Sequence, residues 1–196
     1  MPQQSSPSLL TRRTLLASGA STALFPSHAR ADVPADPDVM IIGAGAAGIG
    51  AARKLMAEGK SVVVLEARDR VSGRAWTEGE TFGVPFDHGC SWIQSAEGPE
   101  VAIEFALGAV EAMVGSRARE TFVKGALTQW ANDPLTLGAY AALSPGAQSA
   151  RQTLAEPLDD RLFFAGEAAA GAYYAICGGA WWSGERAAGE GMRALG

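Results

Sequence analysis

The chain is poor in the side chains on which metal and hydrolytic chemistry depend. Its 196 residues include two cysteines, Cys90 and Cys177, and two histidines, His28 and His88. Neither pair has the spacing of a zinc site. With no Gly-x-Ser-x-Gly segment and His88 alone in its region, a histidine-based hydrolase has no support either. Basic charge is also short: 16 Lys and Arg stand against 21 Asp and Glu, a formal charge of -5 with no basic run, which argues against a nucleic-acid partner. The apolar run that ends at Phe25 is too short to cross a bilayer as a stable helix. What is abundant is glycine, 24 residues in a composition that is 47% hydrophobic and 19% charged. That is a globular composition enriched in the residue that tight turns require.

The glycines first concentrate between residues 43 and 48. Asp38-Val39-Met40-Ile41-Ile42 is a short apolar run that leads into Gly43-Ala44-Gly45-Ala46-Ala47-Gly48, and Ile49 to Glu58 continues with helical character. Strand, glycine turn and helix in that order form the dinucleotide-binding fingerprint. The first glycine permits the tight turn, the second lets a pyrophosphate approach the backbone, and the third lets helix and strand pack closely. The helix N-terminus then presents unpaired N–H groups to the phosphates. Ser61-Val62-Val63-Val64-Leu65 supplies the next buried strand, and Glu66 at its end stands where a carboxylate accepts hydrogen bonds from adenosine ribose hydroxyls. The pattern predicts a parallel α/β sheet with Gly43, Gly45, Ala46, Ala47, Gly48 and Glu66 at a dinucleotide, and leaves FAD and NAD both open.

Arg70-Val71-Ser72-Gly73-Arg74 follows within a few residues. It resembles the arginine-x-glycine-glycine-arginine segment of the flavin amine oxidases, a family that includes monoamine, polyamine and L-amino-acid oxidases. The resemblance implies that Ala67, Arg68, Arg70, Gly73 and Arg74 lie along an FAD pyrophosphate, where guanidinium groups neutralise phosphate through paired hydrogen bonds. Ser72 replaces the first glycine, a swap that ordinary backbone dihedrals tolerate. Phe86-Asp87-His88-Gly89-Cys90-Ser91-Trp92-Ile93 is similar to the family's aspartate-x-glycine-x-x-tryptophan stretch and would put Trp92 beside the flavin.

The C-terminal third carries a second half of the same resemblance. Leu162-Phe163-Phe164-Ala165-Gly166-Glu167 reads as a buried strand ending in glycine and an acid, similar to the family's phenylalanine-alanine-glycine-glutamate motif. Gly166 and Glu167 would then meet the ribityl or pyrophosphate region. Gly178-Gly179-Ala180 opens a helix that matches the family's last flavin-contacting helix, whose dipole can stabilise negative charge on the flavin as the ring is reduced. This implies cofactor contacts at Gly179 and Ala180. Trp130-Ala131-Asn132-Asp133-Pro134-Leu135-Thr136-Leu137-Gly138-Ala139-Tyr140 resembles the tryptophan-to-glycine-x-tyrosine stretch on the substrate side. Ala139 holds the place of the cysteine that bonds FAD in monoamine oxidases, so the resemblance implies non-covalent FAD. Trp130 and Tyr140 are the candidate catalytic-site aromatics, Tyr140 as one wall of a cage that orients the amine. Ile176 falls at the second wall, with Tyr173 and Tyr174 as aromatic substitutes; core packing is the competing role for each.

The likeness passes from Trp92 to Trp130 across one expected helix, 97–115, and an extended run over 120–130. The family's central segment supplies a substrate domain and a lysine linked through water to flavin N5. Lys54, Lys60 and Lys124 are the only lysines, and none lies in a matching context. Strand candidates are 38–42, 61–65 and 161–165, few for a sheet buried on both faces. The expected fold is therefore α/β, a Rossmann-like FAD-binding domain with a parallel sheet that lacks most of the substrate domain. Its N-terminal half is 38–96, its helical bridge 97–115 and its C-terminal half 116–196.

Thr11-Arg12-Arg13-Thr14-Leu15-Leu16, the apolar run and Ala29-Arg30-Ala31 read as a twin-arginine signal peptide over 1–31, followed by a linker, 32–37. Its removal takes three arginines and no acid, shifting the formal charge from -5 to -8. Export of a folded, FAD-loaded protein to the periplasm or beyond is the expected destination. That compartment permits a Cys90–Cys177 disulfide, although small buried free thiols are the preferred reading. The leading functional expectation is an FAD-dependent oxidoreductase that converts a primary or secondary amine or an L-amino acid to an imine with oxygen as acceptor. The alternatives are an FAD-binding but inactive remnant or exported interaction module, and an NAD-dependent dehydrogenase, which the second motif disfavours. No nucleic acid, no metal and no stable membrane span are expected; a homo-oligomer and a completing partner chain are both left open.

Overall fold

The computed structural model describes residues 33–89 and 99–196. The signal segment, Cys90 and Trp92 lie outside the described residues. Strand β1, Val39–Ile42, is followed by helix α1, Ala46–Ala57, and strand β2, Val62–Leu65. β1 and β2 pair in parallel, with Val39 opposite Val62 and Ile42 opposite Leu65. This is the Rossmann-like unit. β-branched residues suit the pleated strands, and α1 ends where Gly59 takes φ +76°. There the Gly59 N–H donates to Met56 O at 3.0 Å and the Lys60 N–H to Leu55 O at 3.1 Å, the paired closing bonds of a glycine-stopped helix.

Beyond the clasp, Thr77–Glu78 (β3) and Phe86–Asp87 (β4) form a small antiparallel ribbon that the sequence reading did not anticipate. The bridge helix α2 spans Pro99–Val114, and a short helix α3, Arg117–Thr121, follows. The expected extended run over 120–130 is thus helical at its start, with no regular element from 122 to 129. Helix α4 covers Ala150–Ala155, two single turns lie at Glu167–Ala169 and Gly171–Tyr173, and the long helix α5 runs Cys177–Leu195.

The expected third strand over 161–165 is not formed. Leu162 makes one isolated bridge to Leu158, and residues 163–165 join no ladder among the described residues, the Phe164 O accepting instead from Arg186 Nη2 at 2.7 Å. Leu-Phe-Phe has the composition of a strand, but a strand exists through its ladder, and among the described residues no neighbour lies alongside it.

Among the described residues the core is small and one-sided. Leu55, 2% exposed, packs with Ala51 and Ala188, and Val39, Ile41, Val62 and Met192 close around them. α1 and α5 therefore cover one face of the two-stranded sheet. They approach closely because glycines face each other's backbone: a Cβ on Gly184 would fall 2.0 Å from Ala47 O, and one on Gly50 2.9 Å from Trp181 O.

Candidate functional site

The glycine turn and the C-terminal motif open onto one cavity of about 2370 Å³. Gly43 turns at φ +97°, a left-handed conformation that favours glycine. Cβ atoms built on Gly43 or Gly45 would meet nothing within 4 Å, so this backbone faces open space that a phosphate can enter. Gly48 differs: its Cβ would lie 1.9 Å from Gly43 O, so its bareness serves the helix–strand contact. Helix α1 has no side-chain cap and no acid in its first turn, which leaves its N–H groups and positive dipole end for an anion. Ala46 and Ala47 line the same wall.

Glu66 stands at the mouth of this turn. Its carboxylate accepts the Ala44 N–H at 2.8 Å and the Arg68 N–H at 2.9 Å. These bonds, Arg68 first, hold its carboxyl below the ordinary range, so it remains an acceptor at neutral pH. A carboxylate has about four acceptor sites, so capacity is left for ribose hydroxyls.

The clasp lies across the turn. The Ser72 N–H donates to Ala44 O at 2.8 Å, and a Cβ on Gly73 would stand 3.4 Å from Gly45 Cα. Ser72 has φ +77°, in the left-handed region, so the condition under which the swap is tolerated, ordinary dihedrals, is not met in the clasp. Its contact with the turn requires the bend that glycine accepts more readily. Ala67, Arg68, Gly73 and Arg74 line the cavity. Arg70 does not: its Nη1 turns back to Gly73 O at 2.7 Å and its guanidinium lies 4.3 Å from the Trp76 ring centre, so it shapes the loop.

The two halves of the chain are tied by charged groups at the cavity. Arg68 pairs with Asp133 at 2.6 Å, and this guanidinium, followed by the Leu135 N–H, depresses the Asp133 carboxyl. Arg74 donates to Ala139 O at 2.9 Å and approaches Glu167 at 3.3 Å. Its remaining N–H groups stay available to a phosphate. Glu167, 8% exposed, accepts the Ala141 N–H at 2.7 Å and the Ala175 N–H at 3.2 Å. It is a hub that holds three segments together, a role that sequence alone did not reveal. Arg151, buried as deeply, donates to Ala141 O and Ala168 O at 3.1 Å each, and its guanidinium covers the Tyr174 ring at 3.8 Å. Ala141 is therefore gripped at both of its peptide groups by opposite charges, which fixes the adjoining Tyr140 and Ala139 at the cavity wall.

Gly166, Glu167 and Ala180 line the cavity as well. Gly166 is set by the Ser183 hydroxyl, which accepts its N–H at 2.8 Å. The N-terminus of α5 has no side-chain cap and reaches the cavity at Cys177 and Ala180. Gly179 lies behind that wall, where a Cβ would collide with Tyr173 O at 1.7 Å. Trp130 is buried on the cavity wall with its indole N–H donating to His88 O at 3.0 Å. Tyr173 and Tyr174 do not line the cavity: Tyr173 packs edge-on against Trp182 at 4.9 Å, and Tyr174 lies under Arg151. The proposed aromatic substitutes for Ile176 are thus engaged elsewhere, while Ile176 itself lines the cavity.

His88 is not alone in space. Its Nε2 meets Glu78 Oε1 at 2.7 Å and its ring stacks on Trp76 at 4.3 Å. Hydrogen bonds from the Thr81 side chain first, and then from His88, lower the Glu78 carboxyl from 4.5 to about 2. The recoverable signal was the two-residue alternation 76/78 and 86/88, which puts these side chains on one face of a ribbon once Thr77 is set opposite Asp87. Among the described residues there is no cluster of metal-ligating groups, and no helix is long and apolar enough to cross a membrane. A second groove of about 680 Å³ lies along α2 and α3; it is lined mainly by apolar groups and carries none of these features.

Comparison with known proteins follows the same division. Residues 41–105 match the model of an NAD(P)-binding Rossmann-like domain, and residues 97–190 match that of flavin containing amine oxidoreductases. Over 71 residues the chain is 46% identical to a flavin-containing monoamine oxidase of Mycobacterium tuberculosis and 45% identical to putrescine oxidase of Kocuria rosea. Each alignment covers 36% of this chain and 15% of the relative. Polyamine oxidase 5 of Oryza sativa subsp. japonica is 42% identical over 74 residues, 38% of this chain and again 15% of the relative. The matched segments thus span a small part of these proteins' length. With a nucleotide-binding half and an amine-oxidoreductase half facing one cavity in that order, the chain belongs to the flavin amine oxidase family.

Proposed function

We propose that the cavity holds FAD non-covalently and that the chain is an oxidoreductase acting on a primary or secondary amine or an L-amino acid, with oxygen as acceptor. The observation that carries this reading is the convergence of the open Gly43–Gly45 turn, Glu66, Arg74 and the uncapped α5 N-terminus on one cavity. Its volume exceeds the roughly 300–1,000 Å³ of ordinary small-ligand pockets, so a long dinucleotide enters with room to spare. FAD bound there would take a hydride equivalent from the carbon bearing a neutral amine, leaving an imine for water to hydrolyse, and would pass the electrons to oxygen. The residues of this chain bind and orient. Glu66 accepts the ribose hydroxyls, while Arg68 and Arg74 offset the diphosphate charge. The α5 N-terminus stabilises negative charge where it develops. Tyr140, held through Ala141 by Glu167 and Arg151, forms one wall for the amine, and buried Trp130 excludes water behind it.

Ala139 on the cavity wall supports non-covalent binding, since it offers no nucleophile where the resemblance would place one. The names of the relatives, putrescine and polyamine oxidase among them, support an amine substrate. Export through the twin-arginine route, with the domain limits and signal given above, belongs to the same proposal. An Arg12→Lys, Arg13→Lys pair that is still processed and delivered would refute it. A second reading, an FAD-binding module without turnover, draws on the parallel sheet having two strands among the described residues and on the absence of a lysine in the matching context. Peroxide release from FAD-loaded protein, assayed with putrescine, spermidine, benzylamine and the L-amino acids, separates the two. The amine reading expects slow release with some of them, well below the enzyme median of about 10 per second. No release from protein that retains FAD would assign the second reading, and release at the median rate would contradict the expectation of slow turnover.

A further inference from the structure

Arg68 is bonded to two acids. Its backbone N–H donates to Glu66 at 2.9 Å, and its Nη2 donates to Asp133 at 2.6 Å. A guanidinium thus stands beside the carboxylate at the end of β2, the neighbourhood in which dinucleotide folds use an arginine to take a ribose 2′-phosphate. The order Glu66-Ala67-Arg68 is compatible with a free or a phosphorylated ribose. Asp133 is what tells them apart. It comes from the other half of the chain, in a turn that is well fixed: its carbonyl accepts the Thr136 N–H at 3.0 Å and the Leu137 N–H at 2.9 Å, and its Oδ1 accepts the Leu135 N–H at 2.8 Å. The side chains of the Arg68–Asp133 pair are only 18% and 24% exposed, so solvent screens it less than a surface pair. The Arg70 charge also faces Asp133, but that guanidinium is turned onto Gly73 O and the Trp76 ring. Asp133 itself does not line the cavity, whereas Arg68 does.

We infer, on the reading of the cavity as a dinucleotide site with Glu66 at the adenosine ribose, that Asp133 is a specificity-determining residue: by holding the Arg68 guanidinium it restricts the site to a dinucleotide with a free ribose 2′-hydroxyl and turns away one with a 2′-phosphate. A phosphorylated hydroxyl carries about -1.5 to -2 charges at neutral pH. Beside the Glu66 carboxylate such a group is repelled, and it stays only if a cation is released to meet it. Arg68 keeps N–H groups for the diphosphate, but with Asp133 matching its charge it has none in surplus for a third phosphate. Glu66 alone does not give this selectivity, because an unpaired arginine two residues away would offer the forked hydrogen bonds that a phosphate takes from a guanidinium. One acid therefore repels the wrong ligand while the other withholds its cation, and selectivity comes from both.

The probes are ADP-ribose and 2′-phospho-ADP-ribose, which differ only in the 2′-phosphate, titrated calorimetrically into the full chain, with FAD affinity measured on each variant. The full chain should bind the unphosphorylated probe at least tenfold more tightly. Asp133→Asn, which keeps an oxygen for the Leu135 N–H and loses the charge, should narrow that ratio tenfold or more, chiefly through tighter binding of the phosphorylated probe. Adding Arg68→Gln to it should abolish the gain, because the freed guanidinium is its source. Asp133→Ser also removes the charge and keeps an acceptor, and it decides the matter if the asparagine variant does not fold. Equal binding of the two probes by the full chain, a ratio that ignores the loss of the Asp133 charge, or a gain that survives Arg68→Gln overturns the proposal. FAD binding with a ratio that does not respond to Asp133 removes this role and leaves the cofactor reading standing. A responsive ratio in a chain that binds no FAD does the reverse, and binding of neither probe nor FAD counts against both.

Discussion

At the scale of single residues, Glu66 carries the most specific claim. Its two backbone hydrogen bonds aim the carboxylate into the cavity, and its depressed pKa keeps it an acceptor. Glu66→Ala should lower FAD affinity by roughly tenfold or more, the scale for hydrogen bonds to a charged group. Unchanged affinity by flavin-fluorescence titration would remove Glu66 from the site. Ser72 makes a claim about strain. Its left-handed φ costs about 1–2 kcal/mol relative to glycine, of which the greater freedom of glycine in the unfolded chain returns about 0.4–1. Ser72→Gly should therefore stabilise by roughly 0.5–1 kcal/mol, visible as a raised urea midpoint, and a lowered midpoint would mean that the serine has a partner worth more than the strain. Glu78 sets an acid limb. Because its carboxyl falls from 4.5 to about 2 on folding, its contribution is complete above about 4.5 and is lost as pH drops toward 2. The Tm difference between the wild type and Glu78→Gln should then be largest near neutrality and vanish near pH 2; a constant difference would show that the carboxylate charge is not involved.

At the scale of elements, the contact of α1 with α5 positions both halves of the site. Gly184 lets α5 meet Ala47 on the cradle wall, and a methyl group there has 2.0 Å to the carbonyl oxygen. Gly184→Ala should cost about 1–3 kcal/mol, the range for overpacking, and weaken FAD binding along with it. Stability and affinity that both survive the change would show that the helices can part without consequence. The β1-α1-β2 unit was legible because period-two and period-3.6 apolar patterns meet at a glycine turn. Helix α2 was legible from its apolar content alone. The strand over 161–165 was not, because its sequence describes what a strand would be made of and not whether a neighbour exists. The β3–β4 ribbon was missed for the opposite reason: its strands are two residues long, so the alternation 76/78 and 86/88 is too brief to stand out until the register pairs Thr77 with Asp87.

At the scale of the whole molecule, residues near the N-terminal motif and near the C-terminal motif form one wall because Arg68, Arg74 and Trp130 cross between them. The glycines and the two acids of the site were readable as motifs. Arg70 and Gly179 were readable as motif members but not as members of the wall, since a motif records order along the chain and not which way a guanidinium folds. Asp133, Arg151 and Ser183 carried no local signal, because each acts on backbone or charge brought near only by the fold. The central claim is that this wall holds FAD without a covalent bond. The most direct measurement is the visible spectrum of the purified chain after incubation with FAD and removal of the excess, followed by acid precipitation. The account predicts the absorption bands of oxidised flavin at up to one FAD per chain, all of it released into the supernatant. A colourless protein would contradict the cofactor assignment, and flavin that stays with the pellet would contradict the non-covalent claim and point to Cys177, the exposed thiol on the same wall.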